Sequence, residues 1–183
     1  MKKILLLLCV FILSCNNDKT NAEKADARDE LEMPKEVASN DYDLEVYNYD
    51  GLEPLINIKD DKLHVVNFWA TWCAPCVKEL PYFEAVNEYY KNDGVEVLLV
   101  SLDFPKDYES KLKTFLNKRG IKSKVVALDD TDQNRWIPAI NESWSGALPA
   151  TIIYKGDKRK FYEQSFTKEE LETEIKGFLQ QRK

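Results

Sequence analysis

The chain has 183 residues, 44% of them apolar and 11% aromatic, which is enough for one domain with a real core and too little for two of ordinary size. Lys and Arg number 26 against 32 Asp and Glu, a formal charge of −6, and no block of like charge is long enough to track a phosphate backbone, so nucleic acid is excluded as a partner. Six glycines, seven prolines and the absence of any self-similar period exclude collagen-like, low-complexity and solenoid architectures.

Met1-Lys2-Lys3 is a short positive stretch, and Ile4 to Leu13 is an unbroken apolar run, about half of the roughly 20 residues that span a bilayer. Residues 1–14 therefore read as a signal peptide. The run ends in Ile12-Leu13-Ser14-Cys15, which resembles a bacterial lipobox. That resemblance implies that Cys15 is lipid-modified, becomes the new N-terminus and holds the protein to a lipid bilayer in the cell envelope. An uncleaved anchor, or a secretory signal with an incidental cysteine, is the plainer alternative, and both also place the domain outside the cytoplasm. Loss of Lys2 and Lys3 lowers the 26 basic side chains to 24 against 32 acidic ones, a charge of about −8. Acyl chains, at roughly 0.8 kcal/mol per buried CH2, rather than headgroup attraction, then supply the anchoring.

Residues 15–40 are polar and charged, with little to bury beyond Leu31, Met33 and Val37. They read as a flexible tether whose r.m.s. reach is roughly 25–30 Å; a short helix at Ala22–Leu31 is the alternative. The domain proper occupies residues 41–183. Leu44 to Tyr49 alternates as a strand, Asp50-Gly51 is a turn signal, and Leu52 to Ile58 forms a short helix or an extended edge. Leu63 to Ala70 is β-branched and aromatic, which predicts a buried central strand. Cys76, Leu80, Phe83, Val86 and Tyr90 recur at helical spacing up to Asp93-Gly94, with Pro81 expected to kink the helix.

Val95 to Leu102 is a second buried strand. Asp107 is expected to cap a helix whose Tyr108, Leu112, Phe115 and Leu116 share a face and which Gly120 ends. Lys124 to Leu128 is a third, short strand, Asp132 to about Ile140 is helical, and Asn141 to Gly146 is loop. Ala147 to Tyr154 and Lys158 to Tyr162, separated by Gly156-Asp157, predict an antiparallel hairpin. Thr167 and Glu170 form a capping box that opens a last helix with Leu171, Ile175, Phe178 and Leu179 on one stripe. The order strand, helix, strand, helix, strand, helix, strand, strand, helix implies an α/β fold, a mixed central sheet with helices on both faces.

With Cys9 in the signal peptide and Cys15 acylated, the mature domain keeps only Cys73 and Cys76, in Cys73-Ala74-Pro75-Cys76 where a strand hands over to a helix. Amides at a helix N-terminus carry partial positive charge and lower the pKa of the first sulfur. Pro75 lacks an N–H that the first turn would leave unused and presets φ, bringing Cys76 within disulfide reach of Cys73. Half of a zinc site is a weak alternative, because His64 is the domain's only further soft ligand; His64 itself reads as structural. No metal or organic cofactor is required.

Asn67-Phe68-Trp69-Ala70-Thr71-Trp72-Cys73-Ala74-Pro75-Cys76, with Glu79, Leu80 and Pro81, resembles thioredoxin-fold proteins of the TlpA/ResA type over roughly residues 40–183. The resemblance implies a thioredoxin-like fold and a second landmark: Leu148-Pro149-Ala150-Thr151 looks like the family's cis-proline loop, in which Pro149 lies against the sulfurs and the flanking backbone pairs with a substrate strand. A trans proline that merely starts a strand is the alternative. Where thioredoxins carry a buried Asp on the central strand, this chain has Asn67, and Glu79 matches the glutamate that ResA-type proteins keep beside the cysteines. Glu79 is expected to relay the proton of Cys76; an exposed helix carboxylate is the plainer reading. Trp72 shapes the docking surface and Trp69 packs in the core, while Trp144, just before the proline loop, either lines the substrate groove or packs in its loop.

The function so implied is an extracytoplasmic thiol–disulfide oxidoreductase, working as a monomer to reduce disulfides in client proteins. Its catalytic residues are Cys73, Cys76, Glu79 and Pro149, and Trp72, Leu148 and Trp144 contact the substrate. Electrons come from a membrane thiol–disulfide donor, and among TlpA/ResA relatives the clients include apocytochrome c and copper-site proteins. A thiol peroxidase is one alternative, although Trp72-Cys73-Ala74-Pro75-Cys76 does not fit the peroxidatic pattern. A non-enzymatic binding module with a disulfide staple is another, but closing so short a loop adds little stability.

Overall fold

A computed structural model describes residues 42–180. The signal peptide, Cys15 and the tether to residue 40 lie outside the described residues. Six strands form one sheet: β1 (Glu45–Tyr47), β2 (Leu63–Trp69), β3 (Val95–Ser101), β4 (Lys124–Leu128), β5 (Ala150–Lys155) and β6 (Lys158–Tyr162). The helices are a single turn α1 (Tyr49–Leu52), then α2 (Ala74–Tyr89), α3 (Lys113–Arg119), α4 (Gln133–Ile140) and α5 (Lys168–Leu179).

The strand order is β1-β4-β3-β2-β5-β6. The first four strands run parallel, and β5 and β6 are antiparallel additions. β2, with both neighbours paired, is buried at all seven positions, as its β-branched and aromatic composition predicts. Its side chains alternate between two cores. Leu63, Val65 and Trp69 pack with the buried faces of α2 and α5, while Val66 and Phe68 face Trp136, Ile140 and Trp144. On α2 the buried positions are Cys76, Glu79, Leu80, Phe83 and Val86, and the helix continues through Pro81. The capping box is present: Thr167 Oγ1 accepts from the Glu170 N–H at 3.2 Å, and Glu170 Oε2 accepts from the Thr167 N–H at 2.9 Å.

The Asp50-Gly51 turn signal falls in the middle of α1, a single helical turn that Asn48 caps by accepting the Gly51 N–H on Oδ1 at 3.0 Å. Glycine is needed there for close approach, since a Cβ would lie 2.9 Å from Tyr47 Cδ1. One expectation needs correction: Asp107 stands at the N-cap position of the next helical turn, but its side chain makes no capping hydrogen bond. Pro105 starts a 3-10 turn two residues earlier, so Asp107 is already inside helical structure and its carboxylate pairs with Lys111 at 3.0 Å. A π-helical turn over Tyr108–Leu112 then leads into α3, which ends as expected at Gly120 in the left-handed region (φ 61°).

Candidate active site

The parallel strands β2, β3 and β4 end on one edge of the sheet, the edge where α/β folds gather their sites. Cys73 stands between β2 and α2 as the N-cap residue, and its Sγ accepts the Cys76 N–H at 3.3 Å. The two sulfurs are bonded, with Cα atoms 5.3 Å apart. Cys73 retains a sliver of exposure (6%) and Cys76 none, so only the first sulfur borders solvent. The approach to Cys73 is fixed by Asp103, a buried residue just past β3. Its carboxylate accepts the Thr71 N–H at 3.0 and 3.2 Å, the Thr71 hydroxyl, and the Ser101 hydroxyl at 2.8 Å. These donors satisfy a charge that burial would otherwise make expensive. Sequence reading missed Asp103; its position immediately after a central strand was the available signal.

The Leu148–Pro149 peptide bond is cis. The β2–β5 register pairs Asn67 with Thr151 and Phe68 with Ala150, which carries the proline loop to the cysteine end of β2. Glu163, just after β6, ties the loop down by accepting the Ser145 and Ala147 N–H groups, each at 3.1 Å, together with the Ser145 hydroxyl. That Ser145 hydroxyl, with the two amides, holds the Glu163 carboxyl below its usual range. Gly146 (φ 91°) is required in the same turn, where a Cβ would press to 3.1 Å from Ile137.

A groove of about 700 Å³ runs past Cys73, with Trp72, Phe104, Trp136 and Leu148 in its walls. Trp72 and Phe104 are 57% and 56% exposed, and their rings stack with centroids 6.3 Å apart. Trp72 and Leu148 thus sit where the sequence reading put them. Trp144 does not. Its ring is buried between Phe68, Trp136 and Phe161, and its indole N–H is satisfied by the Ala147 carbonyl at 2.9 Å, so it supports the loop from beneath. Among the aromatic residues of the groove, sequence reading missed Phe104, in the loop after β3, and Trp136, whose helical position showed a buried face without showing what it borders.

Beneath the cysteines lies a polar group enclosed in the core. Glu79, one helical turn beyond Cys76, is fully buried, which overturns its reading as a solvated helix carboxylate. Oε1 accepts from Asn67 Nδ2 at 3.1 Å, and Oε2 accepts from the Phe166 N–H at 2.7 Å and the Ser165 hydroxyl at 2.9 Å. Burial pushes the Glu79 pKa up, and the Phe166 amide, the Ser165 hydroxyl and the Asn67 amide pull it partly back. Asn67 gives its other amide hydrogen to Thr151 Oγ1 at 3.1 Å, and its own buried Oδ1 has no partner among the described residues. This single residue therefore couples the central strand, the CxxC helix and the cis-proline strand. His64 lies at the far end of β2 from Cys73, with Nε2 2.8 Å from Asp60 and its ring stacked on Tyr154, a structural role.

Residues 43–159 match the AhpC/TSA family. The thiol-disulfide oxidoreductase ResA of Geobacillus kaustophilus is 32% identical over 114 residues, which cover 61% of this chain and 60% of that protein. The protein of the same name from Bacillus thuringiensis (strain Al Hakam) is 36% identical over 126 residues, 66% of this chain and 67% of the relative. Among solved structures, a thiol:disulfide interchange protein of the thioredoxin family from Chlorobium tepidum TLS superposes with a TM-score of 0.54 at 22% identity, covering 65% of this chain and 81% of that one, a likeness of fold. Because the family match runs through most of the folded region and the curated relatives share one name, this chain belongs to the AhpC/TSA family as a protein of the TlpA/ResA type.

Proposed function

We propose that the protein is an extracytoplasmic thiol–disulfide oxidoreductase that reduces disulfides in client proteins. The observation that carries this reading is the placement of Cys73: its sulfur caps α2, accepts a backbone N–H and opens on a groove bordered by the cis-proline loop. In the reduced protein the amides of the α2 N-terminus favour the Cys73 thiolate. This thiolate attacks one sulfur of a client disulfide, forming a mixed disulfide and expelling the client's other sulfur as a thiolate. Cys76 gives its proton to Glu79 and attacks Cys73 Sγ. The second client sulfur leaves, and the Cys73–Cys76 disulfide closes. Two electrons have passed to the client, and a membrane thiol carrier restores the dithiol. Leu148 and Pro149 border the client backbone, and Trp72 contacts its side chains. The peroxidase alternative expects an arginine near the reactive sulfur, whereas among the described residues no Lys or Arg lines the groove around Cys73.

Direction is tested by equilibrating the protein with a glutathione redox buffer. A reductant has a potential below about −200 mV, towards the roughly −270 mV of thioredoxin, whereas a value near −120 mV, like that of a strong oxidant, reverses the proposed electron flow.

The same reading places the domain on a membrane through acylated Cys15, with residues 15–40 as its tether. Cys15→Ala should release the protein into the soluble fraction or leave the precursor unprocessed. Unchanged acylation and fractionation of the variant would remove Cys15 as the anchor.

A further inference from the structure

We propose that the groove beside Cys73 selects client segments that place a basic side chain near the disulfide, with Asp129 as the specificity-determining contact. The inference rests on the oxidoreductase reading and adds to it a class of substrate. The charged residues lining the groove are Asp103, Asp129 and Asp130, with no cationic side chain among its lining. Two of the three carboxylates are already committed. Asp103 is buried and holds Thr71 and Ser101. Asp130 accepts the Tyr49 N–H at 3.0 Å and the Asp132 N–H at 2.9 Å.

Asp129 differs from both. It is exposed, and its carboxylate has no hydrogen-bond or ion-pair partner among the described residues. Its backbone is nevertheless fixed, because its N–H bonds the Tyr47 carbonyl at 2.8 Å just past the end of β4. Of the cations beside the groove in the chain, Lys106 lies at its rim over the Phe104 ring, 5.7 Å from the centroid, and Arg135 is turned away, pairing with Asp50 and lying over Tyr49. Tyr108, packed near both Asp103 and Asp129, is kept neutral, its pKa pushed up to about 12 by burial first and then by those two carboxylates. It cannot neutralise Asp129. Apart from the uncharged polar residues Thr131 and Gln133, the remaining walls are mainly apolar, with Trp72 and Phe104 as an exposed aromatic shelf. The occupant that satisfies both features is an extended client segment with a large apolar side chain against that shelf and a Lys or Arg reaching Asp129. Such rim charges act chiefly on selection and on the rate of encounter.

The test uses the full chain in its reduced form and two disulfide-bonded peptides, identical except that Lys or Glu flanks the cysteines. Attraction for one and repulsion for the other, each worth a few-fold at an exposed site, give an expected ratio of second-order rate constants for the single turnover of about ten in favour of the Lys peptide at low salt. The ratio should shrink towards one as salt rises to about 0.5 M. Asp129→Asn should bring it close to parity at low salt, and Asp129→Lys should invert it. A wild-type ratio near one, or a ratio that neither salt nor Asp129→Asn changes, overturns the proposal. Hydroxyethyl disulfide, which carries no charge, separates the two levels of failure. If the wild-type protein reduces it while showing no preference between the peptides, only the assignment to Asp129 falls; if it reduces none of the three, the oxidoreductase reading falls as well.

Discussion

Cys73→Ser abolishes client reduction, by on the order of 10⁴-fold or more, while Cys76→Ser halts turnover yet accumulates mixed disulfides through Cys73. The asymmetry follows from burial and from the helix cap. Cys73 Sγ borders the groove and receives the Cys76 N–H, whereas Cys76 is fully enclosed and can meet only Cys73. Serine is a favourable N-cap residue, so Cys73→Ser keeps the start of α2 intact and the loss reports chemistry instead of unfolding. Non-reducing electrophoresis of each variant with a disulfide-bearing client, followed by mass mapping of the linkage, checks this. A mixed disulfide formed through Cys76 in Cys73→Ser would reverse the two roles.

Glu79→Gln slows the resolving step by roughly ten- to a thousand-fold and removes one limb of its pH profile. Burial raises the pKa of Glu79. Below that raised value the acid already carries a proton and cannot take one from Cys76; above it the carboxylate can. Wild-type resolution therefore accelerates as pH rises through the Glu79 titration, and the glutamine variant lacks this rise. Stability carries an independent sign. A carboxyl whose folded-state pKa lies above its unfolded value favours the folded state at low pH, and this contribution is lost as pH rises through the folded value, so Glu79→Gln flattens that fall. Glutamine can still accept from Asn67, Ser165 or Phe166, so the three contacts need not all be lost. Stopped-flow measurement of thiol release between pH 5 and 9 decides the matter: equal rates for variant and wild type throughout would leave Glu79 with a structural role alone.

The elements and their order are legible in the chain's local patterns, because each is encoded by neighbouring residues. Helical spacing from Cys76 to Val86 marks the inner face of α2, the apolar run from Leu63 marks a strand buried on both sides, and Thr167 with Glu170 marks the start of α5. These patterns also put Cys73 at a strand-to-helix junction, where a sulfur meets helix amides. Local pattern failed at Asp107 because a proline two residues upstream moved the helical start, and at Gly51 it marked the turn without showing the neighbouring Tyr47 ring that requires glycine. The tertiary structure alone decided what covers each face. Periodicity aligned Glu79 with the inner stripe, but only the fold brought Ser165 and Phe166, 86 and 87 residues away, onto its carboxylate and shut out water. Likewise it turned Trp144 inward, exposed Phe104 beside Trp72, and left Asp129 exposed on the groove. Burial and charge pairing at these sites arise where loops distant in sequence converge on one edge of the sheet, and spacing along the chain carries no record of that convergence.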